Sequence, residues 1–162
     1  MKKQNLKELL NSLPVNIEGM IRLHGIKLDK NAELADELSG EIRKIGEEDY
    51  KISVKESEFY YRKRFTMAHE LGHFLLHKDK IGDGVNDTPA YRTSKADDLF
   101  NPKITSEHET EANAFAAALL MPKEAVEYYY CEEKKSLKEM SIIFQASEKA
   151  LEIRIKNLGL KN

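Results

Sequence analysis

The chain has almost no cysteine. Cys131 stands alone among 162 residues, which excludes an internal disulfide and fits a reducing compartment. No neighbouring residue marks it as a nucleophile, so it reads as a half-buried helical side chain. An excess of one charge sign is missing too. Twenty-six Lys and Arg against 28 Asp and Glu leave a formal charge of −2, so there is no broad positive field for a phosphate backbone and direct nucleic-acid binding is not expected. Long apolar runs are also lacking. Lys2 and Lys3 are followed by no continuous hydrophobic stretch, so the sequence predicts neither a signal peptide nor a membrane span and points to a cytoplasmic protein. The length is that of one ordinary domain, enough to bury a core around a site.

What the chain does have is His69-Glu70-Leu71-Gly72-His73, inside an apolar-periodic run from Phe65 to His77. Residues four apart share a helix face, so His69 and His73 present two imidazoles to one point. Glu70 follows at the next position, as in the H-E-x-x-H helix of zinc peptidases, where two ligands and a general base lie within five residues. At about 100° per residue, Met67, Ala68, Leu71 and Leu75 fall away from the histidines and form an apolar back. Gly72 weakens a helix relative to alanine, which suggests that another backbone passes close to it. The bland alternative is an amphipathic helix with two incidental histidines.

A catalytic zinc usually takes three protein ligands and keeps a fourth position open. His77 lies about 12 Å along the helix axis from His69 at roughly 1.5 Å per residue. That is too far to share an ion, and His77 reads instead as a donor or cation at the helix C-terminus. The alanine-rich segment Glu107–Pro122 predicts a second helix. On its wheel Glu109 shares a face of mostly small residues with Ala112, Asn113, Ala116 and Leu120. That face suits close packing on the motif helix, so Glu109 is the candidate third ligand. Glu107 and Glu111 point the other way, where a solvated charge is the ordinary outcome. Asn113 can accept a hydrogen bond from a ligand imidazole and fix its tautomer.

Elsewhere, helices are expected over Asn5–Asn11 and Asn16–His24, the second capped by Gly25. A helical turn or two is expected over Leu28–Leu38, with Asp29 or Asn31 as a cap. Glu41–Ile45 and Asp49–Lys55 read as strands around a Gly46 turn, the second alternating Tyr50, Ile52 and Val54 with Lys51, Ser53 and Lys55. Glu58 and Arg62 form a helical ion pair if the motif helix starts that early. Lys78–Thr105 holds Gly82, Gly84, Asn86, Asp87, Pro89 and Pro102 and reads as a long loop. Within it Tyr91 or Arg92 is a candidate oxyanion donor, set against the plainer reading of a solvated loop. After Pro122, Lys123–Tyr130 reads as helix. Ser136–Glu139 is a capping box, and Ser147 caps a last helix that stops near Gly159. The turn near Ala146 has a helix-turn-helix outline, but its mixed charges favour a packing hairpin.

The two blocks Phe65–His77 and Glu109–Ala116, with Leu119-Leu120-Met121-Pro122 after them, resemble the ImmA/IrrE metallopeptidases, bacterial and phage-associated gluzincins. The resemblance implies a small α+β zincin-like domain, a Zn2+ site of His69, His73 and Glu109, and Glu70 as catalytic base. A short mixed sheet would pack on the motif helix. It places a substrate-aligning strand near Lys51–Lys55, where strand addition would hold an extended peptide. The expected organisation is one domain over 1–162, with N-terminal helices to 39, sheet and metal-site helices over 40–122, and a helical cover over 123–162. The expected activity is that of a zinc-dependent endopeptidase acting on a protein substrate such as a helix-turn-helix repressor. The alternative from another class is a non-hydrolytic antirepressor or toxin–antitoxin component that keeps the fold.

Overall fold

The computed structural model describes residues 11–81, 85–87 and 103–161, with the backbone alone at 85–87. They fall into two compact units, Ile17–Ala116 and Ala117–Asn162, the second including the chain up to Asn16. The expected helix over Asn5–Asn11 lies almost wholly outside the described residues, and Tyr91 and Arg92 lie outside them entirely.

The first unit is α+β. Helix α1 (Ile17–Leu23) buries Ile17 and Ile21. Gly25, at φ +69°, closes it: its N–H bonds to the Arg22 carbonyl and the Ile26 N–H to that of Ile21, the paired bonds of a left-handed helix stop. Four strands follow, β1 (Lys27–Ala32), β2 (Gly40–Lys44), β3 (Tyr50–Lys55) and β4 (Val85–Asp87). They lie in the order β1-β3-β2-β4, with β1 parallel to β3 and the other pairs antiparallel.

Three expectations are corrected here. Leu28–Leu38 is not helical, because Lys27, Leu28 and Asp29 pair in register with Lys51, Ile52 and Ser53. Cap chemistry at Asp29 and Asn31 is local, and the long-range ladder with β3 overrides it. Asp29 does accept the Asn31 N–H at 3.2 Å, but within an irregular strand. The Lys78–Thr105 segment is not loop throughout, since it contains a short 3-10 turn (Lys78–Lys80) and β4. Finally, Lys51–Lys55 is no edge. β3 is paired on both sides, so its backbone groups are already committed and cannot receive a substrate strand. The edges among the described residues are β1 and β4.

Helix α2 (Tyr60–Leu76) carries the H-E-x-x-H motif. It starts after Glu58, so the early start that a helical Glu58–Arg62 pair requires is not met. Instead the Ser39 hydroxyl donates to Glu58 at 2.8 Å and receives a longer contact from Arg62. Thr66 through His73 are all buried, so the expected polar front is as enclosed as the apolar back. That back is also shorter than predicted, because Leu75 is exposed. Phe74 packs edge-on against Tyr50, with ring centroids 5.1 Å apart.

Two glycines set the distances of α2 from its neighbours. A methyl on Gly40 of β2 would overlap Thr66 Cγ2 and sit 3.0 Å from the Ser53 carbonyl oxygen. A methyl on Gly72 would lie 3.0 Å from the Phe115 ring and 3.3 Å from the Ala112 Cα. Both of those residues belong to α3 (Ser106–Leu120). The close backbone expected at Gly72 is therefore α3. It can approach because Ala112 and Ala116 leave its facing side low.

In the second unit α4 (Lys123–Glu127) passes into a π-helical turn (Tyr128–Glu132) that holds the half-buried Cys131. Helix α5 (Leu137–Phe144) opens on the expected capping box, Ser136 and Glu139 satisfying each other's backbone N–H groups. Helix α6 (Glu148–Asn157) is capped by Ser147 at the Ala150 N–H. Gln145, at φ +49°, turns the chain between them. Phe144, Leu151 and Ile155 are buried, and Arg154 Nε donates to the Met121 carbonyl at 3.1 Å. A core-facing hairpin therefore describes this pair.

Gly72→Ala should lower the melting temperature even though alanine is the better helix former by about 1 kcal/mol. The added methyl meets the backbone and ring of α3, and overpacking of this kind costs ~1–3 kcal/mol. Gly40→Ala should cost at least as much. Thermal unfolding of both variants at or above the wild-type midpoint would contradict these close approaches.

Candidate metal centre

The α2–α3 approach has one chemical result. His69 and His73, one turn apart on α2, meet Glu109 from the first turns of α3. The two Nε2 atoms are 3.0 Å apart. His69 Nε2 is 3.1 Å from Glu109 Oε2, and His73 Nε2 is 3.1 Å from Glu109 Oε1. One ligand atom from each residue lies within 4.8 Å of the other two. All three residues are buried, His73 completely.

The outer edges of the imidazoles decide what the inner edges can do. Asn113 Oδ1 lies 3.0 Å from His69 Nδ1. An amide oxygen only accepts, so His69 Nδ1 carries the proton and Nε2 offers a lone pair. Glu111 Oε2 lies 2.7 Å from His77 Nε2, and a carboxylate likewise only accepts. His77 Nε2 therefore donates. In the neutral ring His77 Nδ1 then accepts from His73 Nδ1 at 3.1 Å, which leaves the Nε2 lone pair of His73 facing inward. Two lone pairs and a carboxylate thus converge with no donor among them. That set suits a cation, and its two imidazoles and one carboxylate match a zinc or neighbouring divalent ion.

Burial on its own raises the pKa of the Glu109 carboxyl; in acid without metal, His69 and His73 protonated at Nε2 donate hydrogen bonds that outweigh it and hold it at about 2, against an ordinary 4.5. His73 is pushed below its ordinary 6.5, chiefly by burial, while its contact with Glu109 works in the opposite direction. Both shifts favour an anionic carboxylate beside a neutral imidazole near neutral pH.

Glu70 is on α2 beside His69 and fully buried. Glu107 and Glu111 are exposed, as the wheel predicted, but Glu111 is not merely solvated because it holds His77. That pair is the part of the site that sequence reasoning missed. His77 was assigned to the helix end, and it does occupy the C-cap of α2. Its ring, however, turns inward and is 3% exposed. The available signal was its place four residues after His73, on the same face.

The family model for peptidase M78, the IrrE N-terminal-like domain, matches residues 44–156, more than half of the chain and inclusive of both metal-site helices. No curated protein matches the chain. Among the described residues, no helix is long and apolar enough to cross a membrane.

The two pKa shifts predict the acid response of metal-free protein. His73 is lowered from 6.5, so its contribution to stability is present above that value and is lost as pH falls through its folded pKa. Glu109 contributes fully above 4.5, and its contribution is lost as pH falls toward about 2. Urea midpoints measured with chelator present should fall on acidification from neutrality, and Glu109→Gln should flatten the lower part of that profile. Identical profiles for the variant and wild type would refute the assignment.

Proposed function

The chain belongs to the ImmA/IrrE family of metallopeptidases, and on that premise we propose that it is a zinc-dependent endopeptidase that cuts a specific protein partner. The observation that carries the reading is the convergence of His69, His73 and Glu109 with their lone pairs aimed inward. In this reading the three residues are the metal ligands, and the whole of 1–162 serves one metallopeptidase domain. Zinc, when bound there, supplies Lewis-acid activation of water and of the scissile carbonyl.

The remaining steps belong to the protein. Glu70 accepts the proton released by the attacking water and delivers it to the leaving amine, so one water is consumed and the C–N bond breaks without a covalent enzyme intermediate. Burial of Glu70 next to the ligands keeps bulk water from competing for that proton. An extended substrate would align by adding to a sheet edge. We assign this to β4, which pairs with β2, runs alongside α2, and is the last strand of the sheet among the described residues. The partner class we favour is a helix-turn-helix repressor, whose cleavage would release a mobile-element or stress programme. The family resemblance supports this choice.

Glu70→Gln should keep near-stoichiometric zinc and lose about 10²–10⁴-fold in cleavage rate, the usual contribution of a general base. Glu109→Ala should lose the zinc, and Glu107→Ala should not. The test is co-incubation with the repressor encoded nearest the gene, read by mass spectrometry for a discrete fragment pair that chelator abolishes. Unimpaired cleavage by Glu70→Gln would sink the mechanism. A stable complex without fragments would move the assignment to a non-hydrolytic antirepressor.

A further inference from the structure

His77 and Glu111 lie outside the ligand set, yet they form a line that ends on it. Glu111 Oε2 is 2.7 Å from His77 Nε2, and His77 Nδ1 is 3.1 Å from His73 Nδ1. His73 Nε2 then faces Glu109. The line runs from an exposed carboxylate through a buried imidazole to a second buried imidazole. Its polarity is set at the outer end, because a carboxylate can only accept and each neutral imidazole has one donor and one acceptor.

The opposite polarity would bring the lone pair of His77 Nε2 against the Glu111 carboxylate at hydrogen-bond distance, which is repulsive. The His108 ring lies tilted against His77 with centroids 4.6 Å apart, and the His73 ring does so at 5.3 Å, so His77 has ring contacts with both. Asn113 performs the same service for His69 with a single hydrogen bond. The two ligand histidines are thus oriented by different means, one by a neutral amide and one by a carboxylate–imidazole pair.

We propose that His77, anchored by Glu111, is a positioning residue that locks His73 in the Nδ1-protonated tautomer and so presents its Nε2 lone pair to the metal. The inference rests on the metal reading of His69, His73 and Glu109. It explains why a histidine that cannot reach the ion sits buried at the end of the motif helix. It also assigns Glu111 the task of orienting His77 from the surface. Groups that orient metal-bound histidines change metal affinity by about 10- to 100-fold when removed.

The experiment compares His77→Phe, which keeps a ring but removes both nitrogens, with His77→Asn, whose side-chain oxygen can occupy the place of Nδ1 as an acceptor. Glu111→Leu tests the anchor at an exposed position where unfolding is not at issue. The readouts are zinc dissociation constants from chelator competition and 15N shifts of the His73 ring in metal-free protein. Expected are zinc binding weaker by about 10- to 100-fold in His77→Phe with a mixed His73 tautomer, recovery of most of the loss in His77→Asn, and a smaller loss in Glu111→Leu. Wild-type zinc affinity and a single Nδ1-protonated His73 in His77→Phe would overturn the proposal. Should His77→Phe fail to fold, Glu111→Leu decides alone: a weaker site with a disturbed His73 supports the proposal, and no change in either overturns it. Failure of the metal reading looks different, because wild type would then bind no zinc while the His73 tautomer stayed measurable.

Discussion

The distance between α2 and α3 at Gly72 is the constraint on which the site depends. Glu109 is one turn before Ala112 and Asn113 on α3, and His69 and His73 flank Gly72 on α2. Backbone approach at the glycine therefore sets how closely a carboxylate on one helix can meet two imidazoles on the other. With the Ala112 backbone and the Phe115 ring of α3 against it, Gly72 leaves no room for a side chain of its own. The observed separations of 3.0–3.1 Å among Nε2 and carboxylate atoms follow from that packing. On the sheet side Gly40 serves the same end by letting Thr66 settle against β2.

Close packing alone would bring together three groups that repel or compete for protons. What suits the cluster to a cation is the set of hydrogen bonds on its outside. Asn113 and Glu111 both contribute oxygens that only accept, and this sends the histidine protons outward and the lone pairs inward. The energetic logic is that of any buried polar network, in which every member must be satisfied or the whole is costly. Here the inner acceptors are satisfied when a cation is bound, which couples the site's chemistry to its occupancy.

Much of the rest was legible in the residues because it depended on local chemistry. Ser136 and Ser147 open helices and Gly25 ends one through bonds to backbone groups a few positions away, and all three are where the sequence placed them. Tyr50, Ile52 and Val54 are buried as the alternation predicts, but Ser53 between them is buried as well. The failures involve distant partners. Residues 27–29 look like a capped helical turn until β3 is beside them. Lys51–Lys55 looks like an available edge until β1 takes its free side. β4 lies within a stretch rich in turn formers and declares itself only through pairing with β2.

The sequence by itself determined the H-E-x-x-H spacing, the helix stops and the small-residue face that puts Glu109, rather than Glu107 or Glu111, against His69 and His73. Each of these follows from helix periodicity or from side chains acting on nearby backbone. Only the tertiary structure decided which strand is interior and which is edge. It also showed that the polar face of α2 is buried, and that His77 turns inward to join Glu111 to His73. Those outcomes rest on contacts between residues far apart in the chain, such as the 34-residue separation between His77 and Glu111, and no periodicity along one segment encodes them.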